Sequence, residues 1–136
     1  MPSPLNRPLP VFVSGATIGD DSETVVVTSP RVIVDTPQYV VVLHGLVDVT
    51  VGADATAVTL YLERGAVAGG TKVTKGGTWG PYPIAGSAEG QFAVSGIDVP
   101  GEVFGGEYVL TVVLTGNDTA STVNAAYLEA IVQART

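Results

Sequence analysis

Apolar and polar residues alternate along much of this chain, and the alternation stops at glycine, proline, aspartate or asparagine. Val47, Val49 and Val51 interleave with Asp48 and Thr50, and Val58, Leu60 and Leu62 interleave with Thr59, Tyr61 and Glu63. A period of two puts one set of side chains on each face of a strand and does not fit a helix. The residues involved are strongly β-branched: Val, Ile and Thr make up 44 of 136, with 17 Gly and 9 Pro to punctuate them. Branched side chains pack well on a pleated surface, while Gly and Pro turn it. The chain therefore reads as all-β, with room for at most one short helix. At this length a single domain buries about two-thirds of its surface without metal or disulfide staples.

Composition removes several kinds of function. The chain has no Cys, which excludes disulfide frameworks, thiolate zinc sites and Cys nucleophiles. Its one His, His44, excludes a multi-His metal site. Six Lys and Arg against 13 Asp and Glu leave a net charge of −7, which repels phosphate backbones and anionic membranes. No partnership with nucleic acid or membrane is expected. The longest apolar run, Tyr39 to Leu43, is five residues, far short of a membrane span. The Pro-rich start contains no run of signal-peptide length, so synthesis in the cytoplasm is expected. The charged fraction, 14%, is about half of the usual quarter and suggests that part of the surface is covered by a partner.

Residues 1–22 read as an extended arm, because Pro2, Pro4, Pro8 and Pro10 forbid a helix. Leu5, Leu9, Val11, Phe12 and Val13 make this arm more apolar than a solvated tail requires. It either frays, as chain ends do, or orders against a neighbouring subunit. Residues 23–136 read as one β-sandwich domain. The strand candidates are Glu23–Thr28, Arg31–Val34, Tyr39–Val51, Thr56–Arg64, Gln91–Asp98, Glu107–Thr115 and Thr122–Gln133, with a further short one near Lys72–Lys75. Gly52-Ala53-Asp54-Ala55 predicts a hairpin that pairs Tyr39–Val51 with Thr56–Arg64. The last segment is apolar on both faces, as for a strand central to a sheet, although Ala125–Ala130 also suits a short helix. Seven to nine strands at this spacing predict a two-sheet antiparallel sandwich, jelly-roll-like or, alternatively, immunoglobulin-like.

Candidate chemistry is sparse. His44 lies between Leu43 and Gly45 with no nucleophile motif such as G-x-S-x-G elsewhere, so it reads as a core or interface residue. The acidic residues near turns, such as Asp20-Asp21 and Asn117-Asp118, lack the spacing of a calcium loop and are explained by turn chemistry. No metal, cofactor or catalytic residue is assigned, and the chain reads as a non-enzyme. The most distinctive patch is Trp79-Gly80-Pro81-Tyr82-Pro83 in the Gly-rich stretch Gly65–Ala88. Trp79 and Tyr82 make either an exposed platform for a sugar or protein, or a lid folded over one end of the sandwich.

Three stretches, VVVLHGLVDVTV-GADA-TAVTLYLERG, SGIDVPG with GEYVLTVVLTG, and AYLEAIVQA, resemble small β-sandwich decoration or minor capsid proteins of tailed bacteriophages. That resemblance implies a structural virion protein on the capsid exterior, bound to the major capsid protein and self-associated as a homotrimer. No functional residues carry over from it. The partner surface expected from the residues themselves is Leu5, Leu9, Val11, Phe12 and Val13 of the arm together with Trp79 and Tyr82. The alternative is a carbohydrate-binding or adhesion module of jelly-roll type that uses Trp79 and Tyr82.

Overall fold

The computed structural model describes residues 11–13, 18, 22–116 and 121–134. Eleven strands run in chain order: β1 (Val11–Val13), β2 (Thr24–Thr28), β3 (Val32–Val34), β4 (Tyr39–Thr50), β5 (Ala57–Arg64) and β6 (Thr71–Lys72), then β7 (Thr78–Pro83), β8 (Glu89–Asp98), β9 (Phe104–Gly106), β10 (Tyr108–Thr115) and β11 (Thr122–Ala134). The described residues include no helix. One sheet has the order β1-β11-β4-β8, the other β2-β10-β5 with β6 and β7 both on β5, and β3 pairs with β9 alone. All of these pairings are antiparallel.

The pairings nest: β1 with β11, β2 with β10, β3 with β9, β4 with β8, and β5 with β7. A long antiparallel ribbon rolled in this way is a jelly roll. An immunoglobulin-like order would include sheet neighbours that are also consecutive strands in one terminal hairpin, and that arrangement is absent from the described strands.

The expected β4–β5 hairpin does not form. β4 is flanked by β11 and β8, whereas β5 lies in the other sheet beside β10. Residues 51–56 form a crossing between sheets, tied at both ends: Val51 N–H donates to Ala88 C=O at 3.0 Å and Thr56 N–H to Thr115 C=O at 2.9 Å. The physical reason is pairing length, since β4 matches β11 and β8 over nearly its whole extent. Ala125–Ala130 is strand, because its place between β1 and β4 occupies the backbone on both sides and overrides local helix preference. The stretch Gly65–Ala88 is less irregular than its glycines suggest and contributes β6 and β7.

The core lies between the sheets. Val41, Leu43, Val47 and Val49 of β4 and Ala126, Leu128, Ala130 and Val132 of β11 face Leu110, Val112 and Leu114 of β10 and Val58, Leu60 and Leu62 of β5. Gly45 interrupts the β4 row where the sheets approach closely. A Cβ there would stand 3.1 Å from Cγ2 of its cross-strand partner Val94 and 3.3 Å from Leu110 Cδ2 of the facing sheet, so any larger residue would have to displace one or both.

Val11–Val13, assigned to the arm from the sequence, form the edge strand of the first sheet, with Val11, Phe12 and Val13 in register with Leu128, Tyr127 and Ala126. Ile18 is buried, and its carbonyl accepts from Ser121 Oγ at 3.0 Å. Part of the presumed arm therefore belongs to this chain's own fold. Leu5 and Leu9 lie outside the described residues.

Candidate functional site

Alternation along β4 turns Val40, Val42, His44, Leu46 and Asp48 away from the core. Register with the flanking strands builds cross-strand rows on this outer face: Ile131, Val42 and Ile97; Glu129, His44 and Ser95; Tyr127, Leu46 and Ala93. Two rows of the three are largely apolar. Leu46 on the inner strand β4 is 39% exposed and Ile97 on the edge strand β8 41% exposed, so apolar side chains face water on this side of the sheet.

The outer face of the second sheet is treated differently, because the chain covers it. Glu63 points outward from β5 yet is fully buried, held by Lys72 Nζ at 2.5 Å and by Gly69 N–H at 2.9 Å. Glu23 accepts from the same Gly69 N–H at 3.0 Å, which clamps the 65–70 loop over the sheet. Burial, then the neighbouring Glu23, pushes the Glu63 carboxyl above its ordinary range, against the opposing pull of Lys72. Burial also raises Glu23, but its hydrogen bonds outweigh that and leave it low. These groups fasten a loop, with Lys72 Nζ also 4.3 Å from the centre of the Tyr61 ring.

A second buried ion pair spans the two sheets. Arg64 of β5 grips Asp98 of β8 through two hydrogen bonds of 2.7 and 2.8 Å. Tyr108 Oη donates to the same carboxylate at 2.6 Å and Thr74 Oγ1 at 3.2 Å, while Phe104 lies 5.5 Å beneath the guanidinium. Burial alone would raise Asp98; the bonds from Arg64, Tyr108 and Thr74 reverse the effect and hold it below the usual carboxylate range. Burial and the adjacent Asp98 push the Tyr108 phenol well above its ordinary value. All of these groups are occupied with one another, which describes a brace rather than a reaction centre.

Trp79 and Tyr82 sit on β7, not on a loop. A register shift between Val58 and Leu60 sets both opposite inward-facing residues of β5. They nevertheless part company. Tyr82 stacks on Phe92 of β8 at 5.6 Å and 20°, bridging the edge strands of the two sheets. Trp79 is half-buried against the core, and its Nε1 donates to Gly76 C=O at 2.7 Å. Gly76 has φ +77° and lies against Ser95 C=O, a position closed to other residues. Next to it Lys75 bridges to Ile97 at the free edge of β8, with N–H···O=C bonds of 2.9 and 3.0 Å in the two directions. The indole thereby helps line an open, mostly apolar groove of about 330 Å³, together with Val42, His44, Lys75, Ser95 and Ile97. The groove continues onto the outer face of the first sheet. Sequence reasoning singled out Trp79 correctly as distinctive but missed Leu46 and Ile97, whose outward direction depends on strand phase and whose neighbours depend on register.

Among the described residues no group of three His, Asp or Glu side chains converges as a metal site would require. No family model matches the chain, and no curated protein matches it. One solved structure, described as "Bacillus endospore appendages form a novel family of disulfide-linked pili", is similar to it at 15% identity and a TM-score of 0.36, covering 100% of this chain and 96% of that one. A superposition at that score does not establish a common fold.

Proposed function

We propose that this chain is a structural subunit of a particle, one that decorates or cements a bacteriophage capsid through the major capsid protein and through copies of itself. The observation that carries this reading is the exposed apolar face of the β1-β11-β4-β8 sheet, on a chain whose other sheet is covered by its own loop. A surface of that kind is suited to association with another protein. The arm supplies the capsid contact in this reading, and the sheet face supplies self-association. Weak contacts suffice, because a lattice repeats each of them many times. Jelly rolls occur in both capsid and lectin proteins, so fold analogy by itself does not choose between them.

The test is co-sedimentation with shells assembled from the major capsid protein encoded in the same genome. The full chain is expected to saturate the shells at a fixed ratio, and a variant lacking residues 2–10 to lose most of that occupancy. The deletion must stop before Val11, because β1 is part of the sandwich. Unchanged occupancy without residues 2–10 would remove the arm from the reading, and no binding by the full chain would remove the capsid.

The groove over Trp79 supports a second reading, a carbohydrate-binding module, since a flat indole with its N–H already bonded offers an apolar face to a sugar ring. Trp79 is the only tryptophan, so its emission reports on this groove alone. Saturable quenching by a glycan would favour the second reading, and an unresponsive spectrum across a glycan panel would dismiss it.

A further inference from the structure

The charges around the exposed face are arranged by end. Near one end of β8, bridged to Ile97, stands Lys75, while the uncharged His44 lies at mid-strand on β4. At the other end stand Asp48 and Glu89, whose carboxyls lie in contact, so that Asp48 raises Glu89. Asp48 accepts from Asn124 Nδ2 at 3.1 Å and from Gln91 Nε2 at 3.1 Å, neither of which carries charge. Among the described residues the ion pairs are Arg64–Asp98 and Lys72–Glu63, which leave Lys75 and the Asp48–Glu89 couple without counter-charges. They cannot serve each other within one chain. Lys75 bridges to Ile97, and Ile97 lies eight residues along β8 from Glu89, about 26 Å at the usual rise per residue.

Leu46 sits midway between His44 and Asp48 on the same face. Turning a second copy over about an axis that crosses the strands above Leu46 reverses the strand direction. It sets Leu46 on Leu46, His44 over the other copy's Asp48, and the Lys75 end over the Glu89 end. Glu129, the cross-strand neighbour of His44, then lies over Ala125, the neighbour of Asp48, and meets no second acid. We infer that this face binds a second copy of the same chain, antiparallel and two-fold, with Leu46 on the axis and Lys75 of each copy against Glu89 of the other. The contact is self-complementary, as a closed pair requires. Sheets packed face to face stand about 10 Å apart with strands within about 30°, which sets the Tyr127, Leu46 and Ala93 rows of the two copies on one another, with Lys75 and Glu89 toward the margins of the contact.

The three strands β11, β4 and β8 offer a modest footprint, so the pair belongs among weak, concentration-dependent contacts rather than permanent dimers. A two-fold pair also differs from the three-fold grouping that the capsid resemblance implies. The inference deepens the self-association half of the proposed function, but it is measured without any capsid. Failure to bind shells therefore leaves it standing, and absence of the pair leaves shell binding standing.

The experiment is sedimentation equilibrium of the full chain from about 10 to about 500 µM, a span that covers micromolar dissociation constants. The mass is expected to rise from 13.8 kDa toward twice that value. Leu46→Asp is expected to stay monomeric. Lys75→Glu and Glu89→Lys, both at exposed positions, are each expected to weaken pairing by about tenfold or more, because each sets like charges against one another. The double variant K75E/E89K is expected to recover pairing to within about threefold of the original. Recovery can arise only between chains, given the separation within one. A monomer at every concentration, a trimer, or a double variant no better than the single ones would each overturn the inference.

Discussion

Asp98 is an ionised side chain without exposure to water, and its stability depends on three donors reaching it from β5, β10 and the segment before β7. Its carboxyl titrates below the ordinary 3.8. A depressed folded value means that its contribution is complete above about pH 4 and is lost as pH falls through the folded value. Glu63 acts with the opposite sign: its raised value favours the fold below the ordinary 4.5 and withdraws that support as pH rises. Asp98→Asn is expected to cost about 3 kcal/mol at pH 7, the low end for removing one partner of a buried pair because Arg64 is partly exposed. Urea unfolding at pH 7 and pH 3 checks this, since the difference from the unchanged chain should shrink at pH 3, while the Glu63 effect is common to both proteins and cancels. In the sequence, Ser-Gly-Ile-Asp-Val-Pro-Gly around Asp98 reads as a strand ending in a turn, because the partners that bury it lie 10, 24 and 34 residues away.

The elements owe their placement to long-range fit. β4 is the clearest case, with a glycine in mid-strand that local propensity penalises and close packing of the two sheets requires. Gly45→Val is expected to destabilise by about 1–3 kcal/mol through overpacking against Val94 and Leu110. Leu110→Ala is expected to cost about 2–5 kcal/mol by leaving a cavity. Combined, the two should cost less than their sum by about 1 kcal/mol or more, since the new valine side chain fills the space that Leu110 vacates. A double-mutant cycle by urea unfolding measures that coupling, and simple additivity would show that the two residues do not share the gap. The alternation that located β4, β5, β8 and β10 was plain in the sequence. β3 and β6 were also read, as Arg31–Val34 and a short strand near Lys72–Lys75, but β7 and β9 were not, since their six and three residues carry little periodicity and depend on partners elsewhere.

The whole molecule is one ribbon folded back on itself, so its outermost pairing joins strands from opposite ends of the chain, β1 and β11. Nearly every stabilising pair must close a long loop before it gains anything, and topologies of this kind fold on the millisecond-to-second scale. Refolding from urea, followed by Trp79 emission and by far-ultraviolet circular dichroism, is expected to give one rate in that range with both probes. Trp79 reports tertiary closure because it stands on β7 of one sheet and lies over the β8 edge of the other. Distinct rates from the two probes would show that the sheets form before they pack.

Alternating β-branched residues and their Gly and Pro punctuation were sufficient, without coordinates, to establish an all-β sandwich, because side-chain direction along a strand is a local consequence of backbone pleat. The same reading singled out Trp79 as distinctive. It paired β4 with β5 wrongly, since a turn sequence says where a chain bends but not whether the next strand stays in the same sheet. Strand order, the brace around Asp98, the loop clamped over Glu63 and the charge layout around Leu46 arise from residues brought together across tens of positions. Only the folded register decides those meetings, because each depends on which strands compete best for the same backbone hydrogen bonds and the same buried layer.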